Sequence, residues 1–364
     1  MGLDIGFLQN RLSFILDYYS RDTKDLLTKQ ALPGYTGFSD IVTNQGTLRN
    51  YGFEAEVRAN IINKGGFTWD MNANISSVAN KIISLPYNGV DKNRVGGYEV
   101  AAGKVGADGK FPTKWIAGRQ EGGKLGELVA YKQQHIFKDW DDVKQHANMR
   151  IDEVANLYGP GLADQINPLT NKPYKESTGW QPIEPGDVCW EDMNGDDVIN
   201  GYDRYVVGNI FPNITGGFST TFGYKGISLY ARFDYALGHT LYNDLAARSL
   251  GQYQGSFNVI DKVKDTWSEA NPNSDLPKFY YADQLSKKNI TRSNDSNTAA
   301  DSNSSRFYEK GDYLALREIT LSYQLPKSLI SKVHMTDASV YVTGQNLFYI
   351  TGYEGVSPEP VVST

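Results

Sequence analysis

The chain has 364 residues, a formal net charge of −6 and 12% aromatic residues, with 24 Tyr. That mixed, mildly acidic balance offers no basic face to nucleic acid or anionic lipid, so no nucleic-acid partner is expected. The single Cys189 excludes a disulfide framework and a Cys-based zinc site, and no apolar run reaches the 18 residues of a spanning helix.

Period-two alternation begins at once. Leu12, Phe14, Leu16 and Tyr18 alternate with Ser13, Ile15, Asp17 and Tyr19 after a turn at Gln9-Asn10. In 53–61 every odd position is apolar, from Phe53 to Ile61, and every even one is polar, among them Glu54, Glu56 and Arg58. Phe67, Trp69, Met71, Ala73 and Ile75 repeat the pattern beyond the tight turn Asn63-Lys64-Gly65-Gly66, so the two stretches form a hairpin. A second hairpin pairs the strand ending in Phe218, Thr220, Phe222 and Tyr224 with Ile227, Leu229, Ala231, Phe233 and Tyr235, through Lys225-Gly226. In 314–323 the apolar parity flips between Leu316 and Ile319, which either a bulge or an upper part lying outside a bilayer would reconcile.

The links between these strands alternate in length. Short turns fall at 9–10, 63–66, 225–226 and 326–335, and longer links run through 22–45, 84–212 and 239–305. Short connections on one side and long loops on the other mark an outer-membrane barrel, whose apolar face meets lipid and whose polar face lines a lumen. A soluble sandwich has no reason for that asymmetry. Tyr18-Tyr19, Trp69, Tyr224, Tyr323 and Phe348-Tyr349 sit near strand ends, where such barrels carry aromatic girdles. The fold expected is therefore all-β: an antiparallel transmembrane β-barrel portion with long extracellular loops containing short helices.

The loops carry the remaining signals. Asp139 is placed to cap a helix with Trp140, Val143, Ala147, Ile151 and Val154 on one stripe, and Ile260, Val263 and Trp267 form a second, shorter stripe. Residues 285–305, rich in Ser, Asn and Asp, read as solvent-exposed. Within 192–203, side-chain oxygens fall at loop positions 1, 3, 5, 9 and 12: Asp192, Asn194, Asp196, Asn200 and Asp203. With the Val198 carbonyl at position 7, that spacing suits a structural Ca²⁺. Asp197 stands where a glycine is expected, and Asp203 reaches less far than the usual Glu. The following Arg204-Tyr205-Val206-Val207 reads as a strand, so this is a clip and no helix–loop–helix sensor. No Ser, His and acid set forms a triad, Glu54 and Glu56 read as pore-wall charges, and His135, His146, His239 and His334 lack ligand spacing. No enzymatic activity is expected.

Several blocks carry a family resemblance. The stretch from Gly186 through Trp190-Glu191-Asp192-Met193-Asn194-Gly195-Asp196 to Asp203-Arg204 and Val207-Gly208-Asn209 resembles the SusC-like family of TonB-dependent outer-membrane transporters, also called SusC/RagA. So do Thr215-Gly216-Gly217-Phe218, the block from Gly311-Asp312-Tyr313 to Tyr323, and Val340-Tyr341-Val342-Thr343-Gly344-Gln345-Asn346-Leu347-Phe348. The resemblance implies a plugged barrel of ~22 strands. It further implies import of oligosaccharides, or of peptides, with a SusD-like surface lipoprotein and TonB as partners and outer-membrane lipid around the wall. No signal peptide, TonB box or plug is read in the chain, roughly eight crossing strands are counted, and no final aromatic-ended strand follows Glu359. The expectation is therefore the C-terminal part of such a barrel (1–364), with 84–212 as a large extracellular region holding the calcium-type loop. A secreted, calcium-stabilised glycan-binding or glycoside-hydrolase β-domain is the rival reading. Trp115, Trp140, Trp180 and Tyr202 are loop aromatics able to stack on sugars.

Overall fold

The computed structural model describes residues 1–32, 34–151, 156–177, 179–251, 260–279 and 303–359. Its main feature is an eight-stranded antiparallel sheet whose strands pair in sequence order. They are β1 (Gly2–Phe7), β2 (Leu12–Ala31), β3 (Asp40–Lys64) and β4 (Phe67–Ser84), then β5 (Ile214–Tyr224), β6 (Ile227–Leu237), β7 (Tyr313–Gln324) and β8 (Ser339–Thr351). Gly65 and Gly66, at φ +66° and +80°, make the two-residue turn whose twist matches that of β3 and β4. Lys225 and Gly226 do the same between β5 and β6, at φ +47° and +86°. The connections after β1, β3, β5 and β7 lie along one edge of the sheet, and those after β2, β4 and β6, the last two of them long, leave from the other.

Register turns the alternation of single strands into rows. Ile5, Phe14, Val57, Ala73, Phe218, Phe233, Leu316 and Phe348 run side by side across all eight strands. On the opposite face Ser13, Arg58, Asn72, Ser219, Arg232, Glu318 and Gln345 form a polar row, one residue from the apolar row on β2 to β6, two on β7 and three on β8. The parity flip is a bulge at Arg317, where the register shifts against both β6 and β8.

Two expectations are corrected. The link through 22–45 is mostly strand, because β2 runs to Ala31 and β3 starts at Asp40. These ends lie above the row Asp22–Arg49–Lys81, where the apolar pattern stops and bulges shift the β2–β3 register, so periodicity gave no sign of them. The helix capped by Asp139 is only α1 (Trp140–Gln145); Asp139 accepts from the Asp141 and Asp142 amides, and Ile151 lies in a short strand instead. The stripe from Ile260 becomes a 3-10 turn over Asp261–Asp265. Val154 and most of 285–305 lie outside the described residues.

The buried core is not under the sheet. Tyr131, Phe137, Val143, Ile151, Leu157, Ile183, Trp190 and Ile199, all in the link between β4 and β5, form one cluster. Short strands hold it: Glu127–Tyr131 pairs Arg204–Asn209, Gln133–Ile136 pairs Val188–Trp190, and Arg150–Ile151 lies between Leu157–Tyr158 and Val198–Ile199. A smaller cluster of Ala247, Leu250, Leu276 and Phe307 forms in the link between β6 and β7.

Candidate functional site

The sheet presents two chemically distinct faces. On the apolar face, Val342 is 73% exposed and Leu321 54%, a density of bare hydrophobic surface that water would penalise heavily. The face is also bounded. Phe67, Tyr224 and Tyr323 share the row nearest the short turns, and Tyr18 and Phe53 share a row near the other edge. Phe67 and Ser77, which mark those rows on β4, are ten residues apart. At about 3.4 Å per residue and a tilt of about 40°, the band between them is roughly 26 Å tall, the height of an outer-membrane apolar belt. Two rows beyond it the same face becomes charged, with Arg49 donating from Nε and Nη2 to Asp22 at 2.6 and 2.8 Å and Lys81 alongside.

The opposite face is a polar network. Arg58 donates to Glu56 at 2.6 Å, Asn60 to Asp70 at 2.7 Å and Ser76 to Glu54 at 3.3 Å. Glu54 and Glu56 are thus neighbours on a hydrogen-bonded face. Sequence reasoning missed the densest part of this wall. The bulge turns Arg317 toward Asp234, Tyr349 and Glu359, and its guanidinium donates to all three. Glu359 comes from the segment after β8, and nothing in a linear pattern links it to Arg317. The parity flip was the one available signal.

The acidic loop knits segments together. The Asp192 carboxylate accepts from the Gly195 and Asp197 amides at 2.6 and 2.8 Å, and Asp203 accepts from Met193 and Asn200 at 2.9 and 2.8 Å. Asp197 adopts φ +63°, the left-handed geometry its position requires. The Asn194 carbonyl accepts from the Val105 amide at 2.7 Å and the Asp197 carbonyl from Arg150 at 2.8 Å, so the loop joins three stretches of the link. Asp203 is fully buried; burial, with the Asp192 and Asp196 charges adding to it, raises its carboxyl to about 6 against the pull of the two amides. The donor set is all oxygen, which suits a hard cation chemically. In this geometry the carboxylates face backbone amides, and among the described residues no three His, Cys, Asp or Glu side chains gather as a metal shell would.

Cys189, His146, Asp142 and His135 lie together, with Sγ 3.8 Å from His146 Nε2 and His135 Nε2 3.1 Å from Asp142. Burial, with the Asp142 charge adding to it, pushes the thiol up to about 12, away from the thiolate form that a nucleophile or metal ligand needs. Of the loop aromatics, Trp115 lies under the Arg94 guanidinium at 3.9 Å, Trp180 stacks on Tyr158 and Tyr202 meets Phe111 edge-on. Trp140, half-exposed, has no ring partner among the described residues.

Comparison with known proteins agrees with this geometry. The model for the family described as TonB dependent receptor-like, beta-barrel, matches residues 1–141. TonB-dependent receptor P3 of Formosa agariphila is 27% identical over 359 residues, which cover 99% of this chain and 30% of that protein. TonB-dependent receptor SusC of Bacteroides thetaiotaomicron is 25% identical over 360 residues, covering 98% of this chain and 29% of that protein. The chain thus spans about a third of the length of these relatives. Among solved structures, the RagAB peptide transporter superposes with a TM-score of 0.63 at 21% identity, over 98% of this chain and 31% of that chain, a likeness of fold. Residues 1–141 thus match the TonB-dependent receptor β-barrel family, and the chain as a whole is similar to SusC-like TonB-dependent receptors.

Proposed function

We propose that the sheet is part of the wall of an outer-membrane, TonB-dependent importer of nutrient oligomers, glycans in preference to peptides, working with a SusD-like surface lipoprotein. The observation that carries this reading is the two-faced sheet. Its apolar band has the height of a bilayer core, its other face is a continuous polar network, and neither is covered by the chain's own core. A secreted β-domain would bury that band. In this reading the short turns face the periplasm and the links face outward, so the body between β4 and β5 stands where a lipoprotein lid would dock. The glycan preference rests on the family resemblance of the sequence blocks and on the loop aromatics able to stack on sugars, and the likeness of fold to the RagAB peptide transporter makes peptide the competing cargo. Fractionation of cells expressing the full-length protein tests the membrane assignment: recovery in detergent-extracted outer membrane is expected, and recovery in the soluble periplasm would overturn it. Uptake of labelled oligosaccharides against labelled peptides, in cells with and without the gene, decides the cargo.

We propose also that Asp192, Asn194, Asp196, Val198, Asn200 and Asp203 hold a structural Ca²⁺. The oxygen spacing and the burial of Asp203 beside two further carboxylates support this. A bound ion would neutralise that charge and stiffen the three stretches the loop joins, with no part in signalling or catalysis.

A further inference from the structure

A cleft of about 700 Å³ lies between the start of α1 and two turns of the links, within the ordinary size of a small-molecule site. Two indoles line it. Asp139 caps α1 and thereby fixes Trp140 at the first helical position, where the ring is 51% exposed. Trp267 is held differently. Its Nε1 donates to the Lys138 carbonyl at 3.1 Å, and its ring lies so close over Gly186 that a Cβ there would sit 2.6 Å from it. The indole N–H is thus committed and the ring surface is what remains. Pro185 and Pro272 add further apolar surface, and Glu184 and Glu269 bring carboxylate oxygens to the same cleft.

We infer that this cleft is a saccharide subsite that takes a short run of neutral pyranose units, Trp140 serving as the stacking platform. The chemistry favours a sugar for three reasons. Flat aromatic and proline surfaces match the C–H face of a pyranose, and carboxylates at the margin accept from its hydroxyls. The Lys278–Glu184 pair, at 3.3 Å, places a donor beside an acceptor, the pattern a vicinal diol needs. An extended peptide would instead seek an unpaired strand edge to add to, and the residues lining this cleft lie in turns, loops and the first turn of α1. The inference rests on the outward placement of the links in the import reading.

The test uses the full-length protein in detergent, with neutral hexasaccharides built from glucose, mannose, xylose or galactose and with mixed-sequence peptides of similar length as probes. At least one hexasaccharide is expected to bind, with Trp140→Ala weakening it roughly tenfold, about the value of one aromatic contact. Glu269→Gln, which keeps the shape, should weaken it about threefold. Binding of no hexasaccharide, equal binding by Trp140→Ala, or loss of peptide binding alone in that variant would each overturn the subsite. If oligosaccharide uptake persisted alongside such a result, the import reading would stand without this cleft. Soluble fractionation, by contrast, would remove the import reading itself.

Discussion

The eight-stranded sheet carries large apolar side chains on a face that none of the described residues covers, whereas the link between β4 and β5 buries Trp190, Phe137 and Ile199 in a core of its own. The two regions obey opposite rules because they face different solvents. In the sheet, apolar residues are stabilised by an external hydrocarbon phase, so strand pairing need only satisfy the backbone. In the link, apolar residues must find one another, and the backbone follows in strands of two to six residues that pair across long sequence separations. On the import reading one chain therefore contains a membrane wall and a body with a core of its own, and each should fail in its own way.

The largest effect expected is in the body. Trp190→Ala leaves a cavity beside Tyr131 and should cost about 3–5 kcal/mol, enough to open the link to protease while the sheet still enters the membrane. Limited proteolysis alongside heat-modifiable gel migration checks this, and simultaneous loss of both would mean that the regions do not fold independently. In the wall, Phe233→Arg places a charge in the middle of the apolar band and breaks the stack with Phe218 at 4.6 Å. A cost of about 2–4 kcal/mol is expected at that depth, read as loss of outer-membrane assembly. Ser219→Arg, one row away on the polar face, should assemble normally; if both variants failed alike, the assignment of faces would be wrong. Chelation should act on the body only. EDTA is expected to lower its melting by up to about 2.7 kcal/mol for a loop saturated a hundredfold above its dissociation constant, with no change in the wall. An unchanged melt with and without Ca²⁺ would remove the ion from the loop. Smallest of all, Glu54→Gln should shift stability by no more than about 0.5 kcal/mol, since Glu54 and its bond to Ser76 are solvent-exposed.

Legibility divides along the same line. The hairpins, the rows and even the bulge at Arg317 were readable, because a strand with two solvents writes its faces into every second residue. The tops of β2 and β3 were not, because above Arg49 both faces meet water and the alternation has no cause. The interior of the link was equally silent. Arg150–Ile151 pairs with Val198–Ile199 across nearly fifty residues, and two-residue strands have no period to detect. The acidic loop was legible as a geometry, down to the left-handed Asp197, and the three stretches it ties were not. Trp140 was one of four equivalent aromatics until contacts with Arg94, Tyr158 and Phe111 set the other three apart.

The bulge at Arg317 has a consequence for shape. An extra residue on one strand increases the local twist and bends the sheet at that point. Here it interrupts the ladder against β6 and β8 at the same level, so both neighbours of β7 lose register at one point of the wall. That point is pinned across three segments of the chain, by a guanidinium clamped between Asp234 and Glu359.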